Sequence, residues 1–230
     1  MICRQIEMDI FNRQILELFL SRTSKSRALW EAGRQILPDG GGGDMQCYWP
    51  YPIYMEHAQG SKLYDTDGHE YVDFFCGAGT VLLGHRAPVI LEAVESALTG
   101  HSLSIAAGLA LLKELENGAY YEHVQELASL AGHGLQKVFD DAGITCKVTG
   151  EVMGLWRGFW PHFSNKAPRN SRDFYSEYLL KLLNFYIGMI GHGIFMSPTG
   201  APSVSMAHTR EDIDKMLKAA SSVLQMMKSG

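Results

Sequence analysis

The chain lacks several patterns that would place it at once in a large class of proteins. It has no run of Lys or Arg, and 25 acidic residues outnumber 20 basic ones, so we expect no nucleic-acid binding. Its longest apolar stretch, LLNFYIGMIGHGIFM, is interrupted by Asn, Gly and His and is too short to span a membrane. Charges throughout MICRQIEMDIFNRQ predict that no signal peptide is present.

Cysteines are few and scattered. The chain has four, at Cys3, Cys47, Cys76 and Cys146, and no two of them form a C-x-x-C pair. This spacing excludes a zinc knuckle and gives no disulfide framework, so we expect no metal site. Free cysteines are typical of a reducing compartment, and the sequence therefore predicts a cytoplasmic protein.

Common catalytic motifs are also missing. There is no His-x-x-x-His, Gly-x-Ser-x-Gly or paired-carboxylate motif, and the run DGGGGD lacks the spacing of a phosphate-binding loop. The segment DTDGHE resembles part of a calcium loop, but its flanks read as strands. An Asp-Gly hairpin turn is the better interpretation.

What is present alternates between helical and extended patterns, and 46% of the residues are hydrophobic, enough for a core. Predicted helices cover 4–20, 24–37, 88–98, 104–142 with a pause at 117–118, RDFYSEYLLKLLNFYIGMI, and a last helix capped by Thr209. Predicted strands cover 53–58, 62–65, 70–74, ITCKVTG, VMGLWRGFW, GIFMSP and PSVSMAH. This order predicts an α+β fold with mainly antiparallel sheets.

Several segments resemble class III aminotransferases. SRTSKSRALWEAGRQILP, GSKLYDTDGHEYVDF and LLGHRAPVILEAVESAL are similar to the family's N-terminal part, as found in glutamate-1-semialdehyde 2,1-aminomutase and in synthase-embedded aminotransferase domains. TGHSLSIAAGLALLKELENGAYY and GIFMSPTGAPSVSMAHTREDIDKML are similar to its C-terminal part. The resemblance covers nearly the whole chain beyond residue 20 and implies fold type I.

Between Leu98 and Thr99 the family carries its large domain, which binds pyridoxal phosphate (PLP). The resemblance thus implies a small-domain remnant, in which 1–98, with N-terminal helices and a three-stranded meander, and 99–230, an α+β region, pack as one domain. No lysine matches the family's catalytic lysine. We therefore expect no cofactor, with PLP only if a partner chain supplies the large domain, and no transamination by this chain alone.

The resemblance also selects candidate site residues. Cys76 and Ala78 stand in CGAG, where the aminomutase has GSWG, and His101 stands where the family usually has Asn. We predict catalytic roles for His101, Cys76 and Glu151, and substrate contacts for Ala78 and His85. The alternatives are a buried structural Cys76, a His85 that hydrogen-bonds at a turn, and a solvated Glu151.

Arg157 and Trp156, in LWRGFWPHF, are further substrate-binding candidates. An Arg among aromatic residues can hold a carboxylate. The alternative is an outward Arg that packs along neighbouring rings.

These features predict a PLP-independent acid–base enzyme, of isomerase, cyclase or lyase type. Its substrate would be a small amino- or oxo-acid derivative, in natural-product biosynthesis. Two alternatives stay open: a non-catalytic interaction module, and the small-domain half of a split PLP-dependent aminotransferase or aminomutase. A homodimer is expected, because loss of a large domain uncovers an apolar face. A carrier protein or a separate chain are the other expected partners.

Overall fold

A computed structural model describes residues 11–37, 50–97, 103–116, 118–150, 158–166, 177–197 and 202–229. Their helices are α1 Arg13–Arg22, α2 Ser24–Gly33, α3 Cys76–Gly79, α4 Pro88–Ala97, α5 Leu103–Glu116, α6 Ala119–Asp141, α7 Glu177–Gly191 and α8 Arg210–Ser229. Their strands are β1 Met55–Gln59, β2 Lys62–Asp65, β3 Glu70–Asp73, β4 Lys147–Thr149, β5 Trp160–His162 and β6 Ile194–Phe195. The predicted α+β class is confirmed. No helix in these ranges has the length and apolarity that crossing a membrane requires.

The larger sheet has the order β1-β2-β3-β6. Strands β1, β2 and β3 form the antiparallel meander that the turn residues predict. Strand β6 joins β3 in parallel, with Val72 opposite Ile194 and Asp73 opposite Phe195. This pairing brings the C-terminal part of the chain into the N-terminal sheet. A separate antiparallel pair, β4-β5, lies against α6.

The core draws its side chains from both ends of the sequence. Phe19, Tyr71, Phe139 and Phe185 are each no more than 1% exposed and belong to one cluster. Helix α7 packs on α1 and on α8. Gly188 permits close contact with α8, since a Cβ there would lie 2.6 Å from Val223 Cγ1. Burial of this cluster is the main stabilising contribution to the fold.

The last predicted strand, PSVSMAH, does not form a ladder. Within 202–208 the structure has a single bridge, between Ser203 and Gly158. The backbone N–H of Ser203 donates to the Phe74 carbonyl at 2.7 Å, and that of Met206 donates to the Leu82 carbonyl at 2.8 Å. The segment therefore pairs with the residues after β3 instead of with a second strand of its own.

Candidate functional site

Asp73 organises the carboxyl end of β3, where three candidate residues lie. Its side chain is 2% exposed, and Oδ2 is 2.6 Å from His85 Nε2. Its other oxygen, Oδ1, accepts hydrogen bonds from the backbone N–H of Phe75 at 2.9 Å and of Cys76 at 3.1 Å. A buried carboxylate is tolerated when its oxygens are satisfied in this way. Asp73 thus fixes the start of the loop and holds His85 to it.

The loop begins with a left-handed turn. The φ angles of Cys76, Gly77, Ala78 and Gly79 are 48°, 58°, 58° and 84°. Residues other than glycine are strained in this left-handed conformation because their Cβ approaches the following carbonyl oxygen. Backbone strain at non-glycine residues is common at functional sites, where surrounding contacts maintain it.

Cys76 is buried beneath this turn. It is 2% exposed. Its single S–H is shared between two acceptors, since Sγ lies 3.3 Å from the Asp73 carbonyl oxygen and 3.5 Å from the Ser203 carbonyl oxygen. The thiol therefore joins β3 to the C-terminal segment, and the loop would have to open before it met a substrate.

Replacing Ala78 with glycine is expected to stabilise the protein by about 0.5–1 kcal/mol. The left-handed strain of an L-residue, about 1–2 kcal/mol, is relieved, and the extra freedom of glycine in the unfolded chain offsets about half of that. Ala78 is exposed, so no packing is lost. The matched control is Ala93→Gly inside α4, which is expected to cost about 1 kcal/mol. Urea unfolding measures both, and a loss of stability in Ala78→Gly would contradict the left-handed turn.

A buried histidine packs behind the same strand. His208 is 1% exposed, and its ring centroid is 4.8 Å from that of Phe74. Its Nδ1 accepts the backbone N–H of Ser205 at 3.0 Å. Burial lowers the pKa of His208 to about 4, although the carboxylates of Asp212 and Asp73 act in the opposite direction. His208 is therefore a neutral imidazole at pH 7.

Asp212 forms a second buried network nearby. Its Oδ2 accepts hydrogen bonds from Ser61 Oγ at 3.0 Å and from the backbone N–H of Thr209 at 3.0 Å, and Oδ1 pairs with Lys62 Nζ. Burial acts to raise the pKa of Asp212, but the hydrogen bonds from Lys62, Thr209 and Ser61 outweigh it and hold that pKa below its usual value. The same carboxylate caps the start of α8, together with the predicted cap Thr209.

The structure brings three of the candidate residues together. Cys76 and His85 both contact Asp73, and Ala78 lies in the turn between them. Four candidates, His101, Glu151, Trp156 and Arg157, lie outside the described residues. The catalytic and substrate-binding roles assigned from the sequence therefore stay predictions.

Asp73 itself is absent from the sequence-based candidates. A usable indication was present, since Asp73 directly follows the apolar pair Tyr71-Val72 and precedes two phenylalanines. A carboxylate within an apolar run is buried only with partners, which marks it as an organising residue. Its partner His85, 12 residues further on, becomes evident only from the fold.

Comparison with known proteins gives sequence matches over part of the chain. Residues 46–139 match the family model described as Aminotransferase class-III. The glutamate-1-semialdehyde 2,1-aminomutase of Desulfatibacillum aliphaticivorans is 33% identical over 134 residues, which are 56% of this chain and 30% of that protein. That of Methanosarcina acetivorans is 39% identical over 74 residues, 32% of this chain and 18% of that protein. The match thus spans less than a third of the length of these relatives.

Solved structures share the fold over most of the chain. A β-phenylalanine aminotransferase from Variovorax paradoxus matches with a TM-score of 0.82 at 13% identity, covering 97% of this chain and 99% of that one. A glutamate-1-semialdehyde aminomutase from Pseudomonas aeruginosa in complex with PMP matches with a TM-score of 0.79 at 12% identity. The match covers 94% of this chain and 97% of that one. The predicted likeness to the fold of fold-type I aminotransferases is confirmed.

The expectation that no cofactor is involved is wrong. The family match is to an aminotransferase class, one structural neighbour is a transaminase with PLP bound, and another is an aminomutase in complex with PMP. The expectation rested on the apparent lack of a catalytic lysine and set aside the cofactors of these similar proteins.

The lysines of this chain do not by themselves fit a PLP site. PLP enzymes hold the cofactor through a lysine amine in a water-excluded pocket. Nine of the ten lysines are exposed: Lys25, Lys113, Lys137, Lys147, Lys166, Lys181, Lys215, Lys218 and Lys228. The tenth, Lys62, is paired with Asp212. We therefore derive no chemical step through the cofactor from this chain.

Proposed function

We propose that this chain, whose resemblance to class III aminotransferases is confirmed over residues 46–139, is the small-domain part of a PLP-dependent aminotransferase or aminomutase. A separate polypeptide would supply the large domain with its catalytic lysine. Two findings support this proposal. Two structural neighbours hold PLP or PMP, and the lysines of this chain do not by themselves fit a PLP site.

One observation about α4 and α5 carries the proposal. These helices flank the point between Leu98 and Thr99 at which the resemblance places the family's large domain, and they pack on each other. No described side chain of α4 is buried, and among those of α5 only Ala110 is. Two apolar helices that bury so little lack the partner that their composition requires.

Helix α5 presents the strongest part of this apolar face. Ile105, Leu109 and Leu112 are 64%, 55% and 57% exposed. Their spacing of four and three residues places them on one side of the helix. Covering the parts of these side chains that are still exposed would contribute about 1–2 kcal/mol each. A large domain that takes its place beside the junction between Leu98 and Thr99 would lie against this face.

The substrate would belong to the class that the aminomutase relatives name, a small amino-acid derivative. Ala78, in the place of the family's aromatic residue, predicts a site with more room beside the turn. Self-association through α4 and α5 is the alternative use of the same face, as in the interaction module or the homodimer. A cytoplasmic location and an interaction with a carrier protein stay predictions.

Two steps test the proposal. In the first, the purified chain is incubated with PLP and treated with borohydride, and we expect no stable adduct at a single lysine. In the second, the chain is mixed with the separately produced large domain of the Desulfatibacillum aliphaticivorans aminomutase. We expect the two to co-elute with bound PLP and the mixture to catalyse amino transfer.

Leu109→Glu is the matched variant for the second step, with the exposed Leu29→Glu on α2 as control. We expect co-elution to be lost in the first and kept in the second. A single-site adduct on the chain alone would show that the chain has its own cofactor site and would refute the proposal. Self-association without any binding of the large domain would favour the interaction module.

A further inference from the structure

A groove between α6 and the β4-β5 pair lies apart from the Asp73 loop. Its volume is about 770 Å³, which is within the usual range for ligand pockets. One face of α6 forms one wall, and β4 forms the other. Ala128, Val148 and Phe159 provide an apolar lining between them.

The groove is held open by contacts already made within the protein. Gln136 Oε1 accepts the backbone N–H of Val148 at 2.9 Å, and its Nε2 donates to the Cys146 carbonyl at 3.0 Å. Gly150 and Gly158 are in close contact, since a Cβ at Gly150 would lie 2.1 Å from the Gly158 oxygen. A ligand would therefore meet a site whose walls are already in place.

The two ends of the groove differ in charge. Glu122 lies in the first turn of α6, and His133 lies three turns further along. Lys147 is at the His133 end, because the next residue of β4, Val148, bonds to Gln136. Neither Glu122 nor Lys147 forms an ion pair with any residue in the described ranges.

The remaining polar groups in the groove are mostly engaged. Glu126 pairs with Arg210 at the rim. His133 Nδ1 donates to the Ser129 carbonyl at 2.9 Å, which leaves its Nε2 for a ligand. An acidic end, a basic end and an apolar middle are thus available to one molecule.

The length of the groove sets the size of that molecule. At about 1.5 Å per residue along α6, Glu122 and His133 are about 16 Å apart. An extended chain of about four residues spans about 14 Å. We propose that the groove binds a short extended peptide with free ends, its ammonium at Glu122 and its carboxylate at Lys147 and His133. This site does not depend on the cofactor or on the proposed function.

Calorimetry with tetra-alanine tests the proposal on the full chain. We expect binding at millimolar concentration or below. N-acetylation or C-amidation of the peptide is each expected to weaken binding at least about tenfold, because each removes one charge that the groove recognises. Absence of binding, or blocked peptides that bind as tightly as the free peptide, would overturn the proposal.

Variants then locate each end. Lys147→Met is expected to weaken binding of the free peptide about tenfold and to leave that of the C-amide unchanged. Glu122→Gln is expected to weaken binding of the free peptide about tenfold and to leave binding of the N-acetylated peptide unchanged. The control is Lys137→Met, since Lys137 is exposed on α6 outside the groove and pairs with Asp141. An equal effect of Lys137→Met and Lys147→Met would refute the placement of the peptide carboxylate at Lys147.

Discussion

Replacing Gly84 with alanine is expected to lower the free energy of unfolding by about 3–4 kcal/mol. Gly84 has a φ of +90°, and a Cβ there would lie 2.3 Å from Ala207 Cβ and 3.0 Å from the Gly60 carbonyl oxygen. Backbone strain, reduced by the loss of glycine's freedom in the unfolded chain, contributes about 0.5–1 kcal/mol of the loss, and the clash with Ala207 contributes the rest. Neither neighbouring group can rotate away, since one is a backbone carbonyl and the other a β-carbon.

Gly68→Ala separates the two effects. Gly68 has a φ of +91°, nearly that of Gly84, but its Cβ would meet nothing within 4 Å. We therefore expect this control to cost about 0.5–1 kcal/mol, because the loss of glycine's freedom in the unfolded chain offsets about half of the strain. Urea unfolding of both variants gives the difference between their free energies of unfolding, provided that their m-values agree.

The comparison also tests the packing of 1–98 against 99–230, which stays a prediction. Gly84 belongs to the first segment and Ala207 to the second. Equal losses in the two variants would mean that 202–208 does not lie against the Gly84 loop in solution. A larger loss at Gly84 would support one domain built from both segments.

Acidification from pH 7.5 to pH 5 is expected to lower stability by about 2 kcal/mol for each of two buried histidines. Burial lowers the pKa of His162 to about 4, and the same cause dominates at His208. The folded state therefore binds fewer protons than the unfolded state, in which histidine titrates near 6.5. The stabilisation is present above pH 6.5 and is lost as the pH falls toward 4.

Variants that keep the hydrogen bonds isolate the titration. His162 Nε2 is 2.8 Å from Thr149 Oγ1, and the amide oxygen of His162→Gln can accept the same hydrogen bond. His208→Asn can likewise accept the N–H of Ser205 in place of Nδ1. We expect each variant to reduce the stability difference between pH 7.5 and pH 5 by about 2 kcal/mol.

Thr149→Val is the control for this experiment. It removes the hydrogen bond to His162 and keeps the histidine, so stability falls at every pH while the dependence on pH persists. An unchanged dependence on pH in His162→Gln and His208→Asn would show that these histidines do not stay neutral in the folded protein.

Local chemistry made part of the fold predictable. The turns at Gly60-Ser61 and Asp67-Gly68 fix the β1-β2-β3 meander, because each provides a residue that accepts positive φ. The predicted pause at residues 117–118 separates α5 from α6, where Gly118 has a φ of 78°. The last helix begins after Thr209, as its capping residues predict.

Long-range contacts were not predictable in the same way. The β3-β6 pair joins residues more than 120 positions apart, and PSVSMAH has a strand-like composition yet bonds to the loop after β3. Among the site residues, Cys76 and His85 were recognisable one by one. Their shared attachment to Asp73 depends on where that loop folds back.

The sequence by itself determined the helices, the meander and the family resemblance, because these rest on spacing, turn residues and motifs that neighbouring residues define. Only the tertiary structure decided which surfaces remain uncovered. Helix α5 is nearly as apolar as the buried helix α7. Sequence periodicity alone does not reveal that Ile105, Leu109 and Leu112 meet solvent. Exposure is a property of the whole packed chain, since a side chain is buried only when a distant segment covers it.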